Sequence, residues 1–258
     1  MMNFQSIIIE VGLVIMLYMT LVFILALIRK DNSIVDVCWG LGFIVVAIYS
    51  VIQSGEVDLR KMIVSLLVLL WGLRLSFHIM VRNSGKGEDF RYAAWRNTWK
   101  YFVIRSFFQI FMLQGLFMLV ISAPVWFINF SNGGPLGPWD SLGLVIFGAG
   151  FMIETIGDYQ LSEFKKVPSN NGKIITTGLW SVTRHPNYFG EALVWWGISC
   201  YALSFTHGWY TLASPVIITL LLRFVSGVPM LEKKYNNRPD WEEYKSKTAA
   251  FVPFLKFL

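Results

Sequence analysis

FQSIIIEVGLVIMLYMTLVFILALI, residues 4–28, is a run of 25 residues in which Glu10 is the single charged group. A helix of about 20 apolar residues crosses a hydrocarbon core of roughly 30 Å, so this stretch alone places the chain in a bilayer. No basic segment precedes it and no small-residue cleavage pattern follows it, so it reads as a retained span and not as a secretory signal. Six more stretches pass the same length test, at residues 34–53, 62–81, 101–128, 139–157, 189–205 and 209–225. The expected fold is all-α, a polytopic membrane protein of seven helices in one domain, 1–258.

Composition agrees along the whole length. The chain is 55% apolar, 16% aromatic and 15% charged, against about 25% charged in soluble domains, and a water-soluble reading is excluded. The net charge of +6 comes with no compact basic helix and no aromatic-lined groove module, so nucleic acid is not an expected partner. Cys38 and Cys200 lie in apolar stretches without a C-x-x-C or histidine-rich neighbour; neither a disulfide framework nor a metal site is expected.

The basic charge divides by side. Seventeen of the 22 Lys and Arg residues fall in the connections after the first, third, fifth and seventh spans, among them Arg29, Lys30, Arg82, Lys86, Arg91, Lys165, Arg184, Lys233 and Lys256. The opposite side carries Arg60 and Lys61 alone. The positive-inside rule then puts the N-terminus outside and the C-terminal tail in the cytoplasm. The outer connections are short or rich in Gly and Pro, as at residues 131–138, and the cytoplasmic ones are long and charged.

Ionisable groups within spans cost a few kcal/mol each on insertion scales and mark functional positions when they face the bundle interior. With this sidedness Asp36, Arg74, His78, Arg105, Glu154, Asp158, Glu191 and Arg223 all lie toward the cytoplasmic leaflet, as a cavity opening to the cytoplasm requires. The same groups also suit interhelical hydrogen bonding or snorkelling at the interface.

Three constellations stand out. Gly150, Glu154 and Asp158 are spaced i, i+4, i+8 and share one helix face; that face suits either a ribose-binding wall or close helix packing at the glycine. In Arg184-His185-Pro186-Asn187-Tyr188-Phe189-Gly190-Glu191, Pro186 opens a helix, and Asn187 and Glu191 share a face. Arg184 beside that N-terminus suits an anion, or equally the lipid headgroups, with Tyr188 in an aromatic belt. The loop from Arg82 to Tyr92 combines glycines, cations and an amide, without the glycine spacing or the Ser/Thr of a P-loop. The tail from Glu232 onward, with Trp241, Tyr244, Phe251 and Phe254 among lysines, reads as an interfacial segment packing back on the protein.

The run Arg184–Glu191, the preceding Gly157-Asp158-Tyr159, and the tail motifs Leu231-Glu232-Lys233-Lys234-Tyr235 and Phe251-Val252-Pro253-Phe254 resemble the steroid 5-alpha-reductase superfamily, in particular its bacterial branch. The likeness is strong over residues 143–258 and looser before them. The His-Pro-x-Tyr element is also shared with isoprenylcysteine and phospholipid methyltransferases. The resemblance implies a seven-helix reductase of a bacterial inner membrane that takes NADPH from the cytoplasm and saturates a carbon–carbon double bond conjugated to a carbonyl. Residues 1–142 would serve the hydrophobic substrate arriving from the membrane lipids, and residues 143–258 the cofactor. Glu154, Asp158, Lys165, Arg184, Asn187, Tyr188, Glu191 and Arg223 fall at cofactor-binding positions, with Arg82, Lys86 and Arg91 as phosphate partners. The steroid enzymes polarise the substrate ketone with a Gln–Glu pair and a Tyr; here Asp36 lies in that neighbourhood, Trp71 stands where the Tyr falls, and Gly227 replaces a His.

Hydride addition to an enone leaves negative charge on the carbonyl oxygen, so a hydrogen-bond donor must face it. A neutral, desolvated Asp36 meets that need, with His78 and Tyr92 as the other candidates. The rival reading is an S-adenosylmethionine-dependent methyltransferase acting on a lipid or prenylated substrate. The cytoplasmic cations favour the polyanionic NADPH over the less acidic methyl donor.

Overall fold

The structure, a computed structural model, describes residues 4–255, and among them the regular elements are helices. Lys256, one of the cytoplasmic cations expected from the sequence, lies outside the described residues. The chain packs as two compact units, Met1–Leu136 and Gly137–Leu258.

The first unit holds α1 (Phe4–Arg29), α2 (Ile34–Gln53), α3 (Leu59–Asn83), α4 (Phe90–Thr98), α5 (Phe102–Ile121) and α6 (Ala123–Phe130). Ile7, Val11, Ile15, Met19, Val22 and Ala26 form the buried stripe of α1, three and four residues apart, while Ile9, Leu13, Leu17 and Leu21 are exposed. An apolar residue pointing away from the protein is what a lipid solvent selects. Helices α2 and α3 meet backbone to backbone: a Cβ on Gly40 would lie 2.5 Å from the Gly72 carbonyl oxygen, and one on Gly72 2.6 Å from that of Gly40. Small residues at the seam let two spans approach where no hydrophobic force drives them together.

The fourth span was expected over residues 101–128. Instead α5 ends at Ile121, the chain turns at Ser122, and α6 begins anew. Pro124 explains the break, since it has no N–H to donate and its ring blocks the carbonyl one turn back. Asn129 then ties α6 to α2, donating through Nδ2 to Ser50 Oγ at 2.8 Å. On the same unit Arg60 donates to the Pro135 carbonyl at 2.7 Å and Lys61 to the Glu56 carbonyl at 2.8 Å. Both are buried, so the two cations of the sparsely charged side are engaged by backbone.

The second unit holds α7 (Pro138–Lys166), α8 (Pro186–Ala202), α9 (Gly208–Tyr235) and α10 (Pro239–Lys247). Gly143, Gly150 and Gly157 of α7 lie against α8. A Cβ on Gly143 would meet the Gly197 carbonyl at 2.6 Å, and one on Gly150 the Gly190 carbonyl at 2.7 Å. Helix α9 contains a π-helical turn, Leu221–Val225. The tail folds back on the α7–α8 connection: Arg184 N–H donates to Ala249 O at 2.9 Å and Thr183 Oγ1 to Phe251 O at 2.8 Å. Trp241, Tyr244 and Phe251 are buried as expected, and Phe254 is exposed.

Among the described residues six helices, α1, α2, α3, α5, α7 and α9, are long and apolar enough to cross a membrane. The expected sixth span corresponds to α8, which starts at Pro186 and has 17 residues; it falls short of that length.

Candidate functional site

In the first unit the centre is built on two helix starts. Asp89 caps α4, its Oδ1 accepting from the Arg91 backbone N–H at 3.0 Å and from Arg91 Nε at 2.8 Å. A carboxylate at the N-cap is favoured by the helix dipole, and here it also aims the guanidinium. Arg91 Nη2 reaches Asp36 Oδ2 in the first turn of α2 at 2.6 Å, and the Tyr92 hydroxyl donates to Asp36 Oδ1 at 2.6 Å. Tyr92 is 3% exposed, and Gln114 hydrogen-bonds the same phenol. Burial pushes the Tyr92 hydroxyl well above its usual range, and the Asp36 carboxylate beside it pushes the same way; Tyr92 therefore keeps its proton at neutral pH. The loop is fixed from its other side by Glu88, which takes 2.7 Å bonds from Arg96 Nε and Nη2 and a 2.8 Å bond from the Asn32 backbone N–H.

In this geometry both Asp36 oxygens accept hydrogen bonds, one from the Arg91 guanidinium and one from the Tyr92 hydroxyl, so Tyr92 is the donor of the pair. Arg91 is already paired with Asp36 through Nη2 and with Asp89 through Nε. Arg82, in the last turn of α3, and Lys86, on the loop after it, are exposed, Arg82 donating to Asn83 Oδ1 at 3.3 Å and Lys86 to the Arg82 carbonyl at 2.5 Å. His78 sits half-buried near the end of α3.

In the second unit the predicted residues gather where α7 faces the start of α8. Glu154 is 2% exposed, Asp158 6% and Glu191 7%, so these acids turn inward and not toward acyl chains. Asn187 donates through Nδ2 to Asp158 Oδ1 at 3.0 Å. The Gly150 half of that face is a packing seam: the α8 backbone at Gly190 fills the room that the sequence left open for a ligand, and a Cβ on Gly190 would lie 2.5 Å from Glu154 N. Asn187 Oδ1 and Arg223 Nε are buried without a hydrogen-bond partner. Lys165 is exposed in the last turn of α7.

Arg184 is neither snorkelling nor free for an anion. Its Nε donates to Glu232 Oε1 at 2.8 Å and its Nη1 to the Thr248 carbonyl at 2.6 Å, and its guanidinium lies 5.7 Å from the Trp241 ring centre. His185 Nε2 shares Glu232 Oε1 at 3.0 Å, and Tyr188 stacks on the imidazole at 5.6 Å and 8°. Burial pulls the His185 pKa below its ordinary value, against the opposing effect of Glu232. These residues lock the tail onto the start of α8. A groove of about 550 Å³ lies near the end of α7, lined by Tyr159, Gln160, Glu163, Phe164, Ile175 and Thr177 among others.

A family model described as "Protein of unknown function (DUF1295)" matches residues 22–248, which takes in both centres. The chain belongs to the DUF1295 family. The "Uncharacterized protein C594.04c" of Schizosaccharomyces pombe is 24% identical over 255 residues, covering 88% of this chain and 74% of its own. A "Probable O-methyltransferase ustE" of Ustilaginoidea virens is 43% identical over 51 residues, which is 20% of this chain and 18% of that protein. No solved structure matches.

Within this DUF1295 member the sequence reading missed Asp89, Gln114 and Glu232 as parts of the two centres. Asp89 was legible in principle, since an acid just before a helix is a capping signal. Glu232 was not: it meets His185 across 47 positions of chain, and no local spacing announces such a pair.

Proposed function

We propose that the chain is a membrane-embedded, NADPH-dependent reductase that saturates a carbon–carbon double bond conjugated to a carbonyl in a hydrophobic substrate. The observation that carries this reading is the Asp158–Asn187 pair, with Asn187 Oδ1 and Arg223 Nε buried and unsatisfied in the same unit. Buried polar atoms without partners are rare and call for a ligand or water. A dinucleotide suits this set: its hydroxyl and amine groups donate to Asn187 and to carboxylates, and its phosphates suit Arg223. NADPH supplies a hydride when bound. Asp158, Asn187, Glu191 and Arg223 would hold it in the second unit, with exposed Lys165 as an outer electrostatic partner.

The first unit would activate the substrate. Tyr92 retains its proton and is the donor for the oxygen that gains charge as hydride adds. Asp36, held by Arg91, orients the phenol until a carbonyl competes for its hydrogen bond. The apolar helices keep water from the reacting atoms. The topology belonging to this reading counts α8 as a seventh span, with the N-terminus outside, the C-terminus in the cytoplasm and the cofactor cavity opening to the same side.

The second reading is a methyltransferase using S-adenosylmethionine, favoured by the 51-residue similarity to the "Probable O-methyltransferase ustE". Melting the detergent-solubilised protein with each ligand separates the two. A ligand at 100 times its dissociation constant adds about 2.7 kcal/mol of stability. NADPH is expected to raise the melting temperature, and a shift with S-adenosylmethionine alone reverses the assignment.

A further inference from the structure

The start of α5 is a cationic and aromatic corner that neither centre uses. Tyr101 sits at the N-cap with φ 57°, ψ 44°, and its side chain makes no capping hydrogen bond, so the first-turn N–H groups of a 20-residue helix lack the usual side-chain cap. Arg105, one turn in, lies 4.5 Å from the Trp99 ring centre, and its polar contact is Gln109 Oε1 at 3.3 Å. Lys100 lies 5.1 Å from the Tyr101 ring centre. Both cations are exposed. By contrast Arg96, on α4 next door, is neutralised by Glu88 at 2.7 Å and rests 4.4 Å from the Phe102 ring centre.

Beyond this corner the first turns of α5 face lipid. Val103 is 51% exposed, Ile104 63% and Phe108 60%, so an uncovered apolar face adjoins the cationic corner. Trp95 and Trp99 stack at 5.1 Å and 14°, an arrangement suited to the headgroup layer. A ligand here must offer negative charge to Lys100 and Arg105, acceptor oxygens to the open helix end, and an apolar body to Val103 and Ile104.

We propose that this corner is a binding site for an anionic phospholipid. Its phosphodiester sits between Lys100, Arg105 and the first turn of α5, and its acyl chains run along the exposed face of that helix. The site is independent of the reductase reading, because it uses none of the residues assigned to cofactor or substrate.

Native mass spectrometry of the full chain in detergent, with phosphatidylglycerol and phosphatidylcholine of matched acyl chains added in equal amounts, tests it. The native chain is expected to retain phosphatidylglycerol in preference. A cation near an anionic headgroup contributes a factor of about five, so the Lys100→Gln/Arg105→Gln double variant should lose most of that preference. The charge-keeping pair Lys100→Arg/Arg105→Lys should retain it, with circular dichroism reporting that each variant folds. Equal retention of the two lipids by the native chain overturns the proposal, as does an unchanged preference in the folded double Gln variant. Displacement of phosphatidylglycerol by inorganic phosphate at equal concentration also overturns it, by showing a site for free anions. Should the double Gln variant not fold, the native preference and the phosphate competition still decide.

Discussion

Tyr92 and Asp36 show how a single proton's location sorts the roles of two neighbours. With Arg91 at 2.6 Å from one carboxyl oxygen and the Tyr92 hydroxyl at 2.6 Å from the other, Asp36 accepts from both neighbours and the phenol is the donor. On the proposed reductase function, Tyr92→Phe is therefore expected to lower turnover of an enone by about 10²–10³-fold, the loss typical of one oxyanion donor, with NADPH binding unchanged; single-turnover kinetics alongside a cofactor thermal shift would check this. Asn187→Ala, which also strips Asp158 of a hydrogen bond, should weaken NADPH binding about tenfold with little change in turnover at saturation. His185 carries a stability prediction. Burial lowers its pKa from the ordinary 6.5, with Glu232 opposing and Arg184 and Arg223 adding to the fall. The folded state thus resists the proton that the unfolded chain accepts. Its contribution is complete above about 6.5 and is lost as pH drops through the lower folded value. Melting temperature should fall as pH drops below about 6.5, and His185→Gln should flatten that slope.

At the scale of elements, the seam between α7 and α8 is the most tightly specified contact. Because a Cβ on Gly190 would lie 2.5 Å from Glu154 N and 2.6 Å from the Gly150 carbonyl, the obstacle is backbone and cannot rotate away. Gly190→Ala is expected to cost about 1–3 kcal/mol by overpacking and to displace Glu154 and Asn187 together, read as a lowered melting temperature with a weakened NADPH shift. Gly148→Ala, with nothing within 4 Å of its added carbon, is the matched control and should be neutral or slightly stabilising. The broken fourth span has an equally local cause in Pro124. The π-helical turn of α9 carries Arg223 and its unpartnered Nε, and such turns recur at functional positions.

At the scale of the whole chain, topology is where α8 matters. Seven crossings put the two termini on opposite sides, whereas six put them on one side. The proposed arrangement predicts that a reporter active only in the cytoplasm works when fused after the last residue and fails when fused before the first, and the reverse or a matched pair of signals would refute it. The buried state of Arg60 and Lys61 sharpens the charge asymmetry behind that prediction, because the few basic groups of the sparse side are bound to carbonyls.

Membrane residence, helical class and five of the span positions were determined by the sequence alone, because a bilayer demands about 20 apolar residues per crossing and tolerates no unpaired backbone. The gathering of Asp158 with Asn187 was half legible, since each lies on a readable helix face but their meeting depends on how α7 and α8 dock. Only the tertiary structure decided that Gly150 faces a helix, that Arg184 clasps the tail through Glu232, and that Asp36 is an acceptor. Each of these turns on a partner distant in the chain, and a local pattern records which face a residue occupies but not what lies opposite it.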